Sequence, residues 1–164
     1  MDFFKQRRTK ALEKELTHFF NTSLTTALGR LKTDSKARWG TMTAKEMMIH
    51  LTQSSQMMHL GITKLLIKEK YREKSIAFLY TNKPISRGIE IPKDICYKFD
   101  DGITEDVEQL KEELIEATNT MLIFLIEKSD FKAIHPFFGE LNSEQWLRFQ
   151  KKHFTHHLSQ FGLL

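Results

Sequence analysis

Thr43-Ala44-Lys45-Glu46-Met47-Met48-Ile49-His50-Leu51-Thr52-Gln53-Ser54-Ser55-Gln56-Met57-Met58-His59-Leu60-Gly61 is the stretch on which the fold turns. It opens with Thr43 and Glu46 at the spacing of a capping box, in which each side chain bonds the other residue's backbone N–H. It closes near Gly61, a residue suited to the left-handed turn that ends helices. Between them Met47, His50, Gln53, Ser54, Met57 and Met58 recur at steps that share one helical stripe. The spacing predicts a helix from Ala44 to about Leu60, with His50 on its inward face.

The same periodicity extends along the chain. Leu12, Leu16, Phe19, Phe20, Leu24, Ala27, Leu28 and Leu31 predict a helix over 9–32, with Asn21-Thr22-Ser23 as a point where it could divide. Residues 62–79 form a weaker helical pattern. Val107, Leu110, Leu114, Ala117, Met121, Leu122 and Leu125 predict a helix over 104–128. Asn142-Ser143-Glu144-Gln145 repeats the capping-box spacing and starts a last helix that ends near Phe161, before Gly162. Two loops separate these segments: 80–102, punctuated by Pro84, Gly88, Pro92 and Gly102, and 129–141, containing His135-Pro136-Phe137-Phe138-Gly139. The expected fold class is all-α: a four-helix bundle with a long crossover connection around 80–102.

Composition bounds the rest. The chain has 164 residues, the size of one domain, so residues 1–164 are read as a single helical bundle. A single cysteine, Cys96, excludes a disulfide framework and a multi-cysteine zinc ribbon. No neighbouring base or cation pattern marks Cys96 as a nucleophile. The apolar run Met121 to Ile126 falls far short of the roughly 20 residues that span a bilayer. No secretory signal is visible at the N-terminus, so a cytoplasmic, reducing setting is expected. Net charge is +4, but basic residues share their segments with acidic ones, as in Lys64 to Lys74 with Glu69 and Glu73. That mixture reads as a solvated helix face and argues against nucleic-acid binding.

Of the seven histidines, three fall at telling positions. His153 and His157 are four residues apart, so they differ by only about 40° around a helix and can converge on one metal ion. Trp146, Phe149 and Gln150 share their face, which places the pair inward. His156 lies about 60° from His153, as a group beside the pair or a surface residue. An inward His50 alone reads better as a hydrogen-bonded core residue; beside the inward pair it becomes a candidate third ligand. His59 should point the other way, and His18 has no assigned role. Gln53, Ser54 and Gln160 stand three or four residues from these histidines and are candidates to orient their rings. Gln53 is also weighed as a fourth ligand. His135 is a candidate general acid or base, because an ordinary histidine titrates near roughly pH 6.5; a loop-fixing hydrogen bond beside Pro136 is the plainer reading. Trp39, Phe137, Phe138 and Trp146 are pocket wall or core.

Two blocks of these residues resemble a known group. Arg38-Trp39-Gly40-Thr41-Met42-Thr43-Ala44-Lys45-Glu46-Met47-Met48-Ile49-His50-Leu51 is similar to the first motif block of a branch of the DinB/YfiT-like superfamily, a group of small bacterial proteins. His135-Pro136-Phe137-Phe138-Gly139-Glu140-Leu141, followed by Trp146 and by His153-Phe154-Thr155-His156-His157-Leu158-Ser159-Gln160-Phe161, is similar to its second block. The resemblance covers about residues 30–163. It implies a bundle of up-down-down-up topology and a divalent-metal site with His50, His153 and His157 as ligands. It further implies a metal-dependent transferase using a low-molecular-weight thiol, or a hydrolase, acting on a small molecule.

Three neutral imidazoles leave a cation its full charge and at least one open position, the catalytic rather than the structural arrangement. Such an ion brings a bound water to a pKa of about 7, or takes up a thiol as thiolate. Imidazole suits zinc, nickel, iron and copper, so the ligands alone do not name the metal; zinc or nickel is expected. The expected partners are therefore a small-molecule substrate and a low-molecular-weight thiol, without nucleic acid or membrane. The competing reading is a non-catalytic helical-bundle interaction protein. In it, Met47, Met48, Met57 and Met58 contribute to an apolar patch or a homodimer face.

Overall fold

Local chemistry starts three of the helices. Thr43 accepts the Glu46 N–H through Oγ1 at 3.2 Å, and Glu46 returns the bond to the Thr43 N–H at 2.7 Å. The Asn142 and Gln145 pair does the same at 3.0 Å in both directions. Asp106 Oδ1 accepts the Gln109 N–H at 2.9 Å. Each contact satisfies an N–H that the first helical turn leaves without a partner.

The computed structural model describes Lys10 and residues 13–89 and 106–164. Its helices are α1 over 13–29, α2 Ala44–Gln56, α3 Arg72–Phe78, α4 Val107–Glu127 and α5 Ser143–Gln160. A hairpin of β1 Lys132–His135 and β2 Gly139–Asn142 lies between α4 and α5, antiparallel, with Lys132 opposite Asn142 and His135 opposite Gly139. The molecule is thus mostly helical with one small sheet.

Several elements differ from the sequence expectation. The first helix does not divide at Asn21-Thr22-Ser23. It passes through one wide turn, Phe19–Ser23, in which the Leu24 N–H reaches the Phe19 carbonyl five residues back. That single-turn bulge lets both Phe19 and Phe20 point into the core. Residues 9, 11 and 12 of the expected span lie outside the described residues, as do 90–102 of the long connection, including Cys96, and 104–105 of the helix expected over 104–128. The segment 62–79 is helical only near its end. Its Leu66 and Ile67 N–H groups instead bond the Pro136 carbonyl, at 2.9 and 3.3 Å. The hairpin takes up much of the expected loop 129–141 and turns through residues 136–138 into Gly139 (φ 77°), the first residue of β2. Arg72 packs so close there that a Cβ would lie 2.6 Å from its Nε.

The core joins α1, α2, α4 and α5. Phe20 meets Phe154 edge to face at 5.6 Å, and Trp146, Leu24, Leu51, Leu114 and Leu158 are fully buried around them. Met47, Met48 and Met58 belong to this interior as well. They therefore fill the core, where flexible thioethers suit irregular gaps, and they form no surface patch. Among the described residues, no helix is long and apolar enough to cross a membrane.

Candidate metal centre

Helix α2 carries His50 and α5 carries His153 and His157, and packing of these helices brings the three rings to one point. A ligand nitrogen from each lies within 4.8 Å of the other two. His50 Nε2 stands 2.9 Å from His153 Nε2, which stands 3.1 Å from His157 Nε2. For zinc–imidazole bonds of about 2.0–2.1 Å at tetrahedral angles, neighbouring ligand nitrogens sit about 3.3 Å apart. The two observed separations need a change of only a few tenths of an ångström. His50 and His157 are buried, at 7% and 8% exposure, whereas His153 is partly open.

The hydrogen bonds behind the rings decide where their protons sit. Gln150 Nε2 donates to the Ser54 carbonyl at 2.7 Å, which turns its Oε1 toward Ser54 Oγ at 3.2 Å. The Ser54 hydroxyl spends its one proton there. With that proton on Gln150, the hydroxyl is left to accept from His153 Nδ1, 2.9 Å away, and the network assigns the His153 proton to Nδ1. Gln160 repeats the logic. Its Nε2 donates to the Trp39 carbonyl at 2.8 Å, leaving Oε1 to accept from His157 Nδ1 at 2.9 Å. Both rings of α5 are therefore held with bare Nε2 lone pairs, and these face each other at 3.1 Å. A cation between the lone pairs, or an N–H of His50 whose Nε2 stands 2.9 Å from His153 Nε2, relieves their repulsion. The donor set fits a divalent metal on that ground.

Electrostatics agrees. Burial lowers the pKa of His50 to about 3, with His157 and His156 adding to the shift. Burial likewise lowers His157 to about 4, opposed by the Gln160 bond, and holds His153 well below the ordinary histidine value. All three are neutral at neutral pH, which is the form that binds metal.

The remaining predicted residues fall at various distances from this point. Ser54 and Gln160 lie behind the ligand rings. Gln53 makes no described contact with them, and its Oε1 is buried without a partner. His156 packs beside His157 at 5.1 Å between ring centres, but its hydrogen bond goes to the Ile85 backbone. His135 is buried at 3% exposure, and its Nδ1 accepts the Phe137 N–H at 3.1 Å, the loop-fixing bond. Phe138, Trp146 and Phe149 enclose the ring, and burial lowers its pKa to about 3. Phe149 also stacks on His153 at 5.4 Å, so it forms part of the wall.

The supporting role of Gly40 is absent from the sequence reading. At φ 75° it brings the 38–40 loop against the end of α5, where a Cβ would lie 2.8 Å from Gln160 Nε2. The Arg38 N–H anchors the same loop on the Gln160 carbonyl at 2.7 Å. The signal available in sequence is the Trp39-Gly40 pair itself, whose carbonyl and missing side chain are both used.

Fold and site together define a mostly helical protein with a three-histidine constellation able to hold a metal ion. Residues 12–162 match a family described as a protein of unknown function, DUF1569, and the chain belongs to it. No curated protein and no solved structure matches the chain.

Proposed function

We propose that the chain binds one divalent cation, zinc or nickel, through His50, His153 and His157 and uses it in a reaction on a small molecule. The observation that carries this reading is the pair of lone pairs held face to face on His153 and His157 by Ser54 and Gln160. When bound, such a cation supplies a Lewis acid that acidifies a thiol or a water. The chain's own residues fix the ring orientations and bury the His50 and His157 rings. Three protein ligands rather than four among the described residues favour a catalytic over a structural role. The resemblance to the DinB/YfiT-like superfamily supports a thiol transferase or hydrolase. It also supports reading α1, α2, α4 and α5 as an up-down-down-up bundle. The test is His153→Ala in untagged protein. Metal content and any thiol-transfer or ester-hydrolysis activity should be lost while the helical circular dichroism persists. Unchanged metal content would overturn the proposal.

A further inference from the structure

Beside the histidine cluster lies a second feature that the metal does not explain. A cleft of about 670 Å³ opens between the loop 80–87 and the outer face of α5. That volume is in the range of small-molecule sites. Five cationic side chains line it, Lys83, Arg87, Arg148, Lys151 and Lys152, against one carboxylate, Glu15. Glu15 is already taken by Lys151, and Arg148 is paired with Glu144 at 2.8 Å. Among the described residues no carboxylate pairs with Lys83, Arg87 or Lys152.

Two of these cations are held in place rather than left to wave in solvent. The Arg87 guanidinium lies over the Trp39 ring at 3.8 Å. Stacking of this kind uses the guanidinium face and leaves its edge N–H groups for a planar or tetrahedral oxyanion. Lys152 Nζ donates to the carbonyls of Thr81 and Lys83, each at 2.7 Å, and lies 4.4 Å from the centre of the Phe78 ring, so its charge is fixed at the cleft wall. The cleft thus gathers five cationic side chains against one carboxylate, and that carboxylate is held by Lys151. His156 lines the same cleft, and its ring packs against that of His157.

We infer that this cleft binds the doubly negative end of a small molecule, a phosphate or a pair of carboxylates, through Arg87, Lys83 and Lys152. The inference goes beyond the metal reading and stands without it, because nothing in the cleft is a metal ligand.

The test uses the full chain freed of metal, titrated with inorganic phosphate and separately with malonate at constant ionic strength maintained with chloride. Fluorescence of Trp39, in the cleft wall, reports occupancy. Saturable binding is expected for at least one probe, weakened about tenfold or more in Arg87→Gln and further in Arg87→Gln with Lys83→Gln. Both side chains are exposed, so the variants should fold, which circular dichroism checks. Tighter binding of phosphate assigns a phosphate end, and tighter binding of malonate a paired carboxylate. Absence of saturation with both probes, or equal affinity in the wild type and both variants, would overturn the inference. Since metal is absent throughout, failure here and failure of the metal centre are separate results.

Discussion

Removing one hydroxyl should reveal whether the histidine rings are set for metal. Ser54 is fully buried on α2, and its Oγ joins Gln150 at 3.2 Å and His153 at 2.9 Å. Ser54→Ala leaves the His153 Nδ1–H and Gln150 Oε1 without that partner. An unsatisfied buried polar group costs about 1–3 kcal/mol. A loss of about 2 kcal/mol would lower the melting temperature by about 4–8 °C at this chain length. Freed of its bond, His153 can place its proton on Nε2 and rotate, and loss of such a supporting contact typically weakens metal binding 10–100-fold, about 1.4–2.7 kcal/mol. The assay is zinc competition against a chromophoric chelator, with melting followed in parallel. Ser55→Ala is the control. Ser55 is also a buried α2 hydroxyl, but it bonds the Leu51 carbonyl at 2.9 Å. It should cost stability and leave zinc affinity alone. If Ser54→Ala binds zinc within about twofold of the wild type, or Ser55→Ala weakens it equally, the proton assignment on His153 is wrong.

Gly40→Ala should act on the other ring, because the new methyl meets Gln160 and strains a positive-φ position. Zinc affinity should fall about tenfold or more by chelator competition, as for loss of any contact that orients a ligand ring. Gln160→Leu should weaken zinc similarly, and adding Gly40→Ala to it should cost little further affinity, since both act through His157. Metal-free protein should lose stability in acid. His135 has a folded pKa of about 3 against roughly 6.5 unfolded, so the unfolded chain binds more protons between those values. Its contribution is fully present above about pH 6.5 and declines as pH falls toward about 3. Urea unfolding across that range checks the slope, which His135→Phe should reduce.

What could be read from sequence was what depends on neighbours a few residues apart. Both capping boxes follow from spacings of three, and the shared face of His153 and His157 follows from a spacing of four. Gln160 stands three residues from His157 and Ser54 four from His50, so their general position was legible as well. Their partners were not. Ser54 serves His153, on another helix, and no spacing along α2 contains that. The segment 62–68 carries helical periodicity, yet Leu66 and Ile67 give their N–H groups to Pro136 of a distant turn. The hairpin around Gly139 was hidden for a related reason. Its strands have four residues each, too few for alternation to show, and its turn is fixed against Arg72. The methionine stripe was visible, but whether it faced core or solvent depended on α1, α4 and α5 closing over it. Gln53, on the stripe of His50, shows the limit of facial arithmetic: it shares the stripe without a described contact to the rings.

The most direct measurement is calorimetric titration of untagged, metal-free protein with zinc at neutral pH. The account predicts one ion per chain, with protein concentration taken from amino-acid analysis, and little proton release from ligands that are already neutral. A stoichiometry near zero, or an equal heat and stoichiometry in a chain carrying His50→Ala and His157→Ala together, would contradict it.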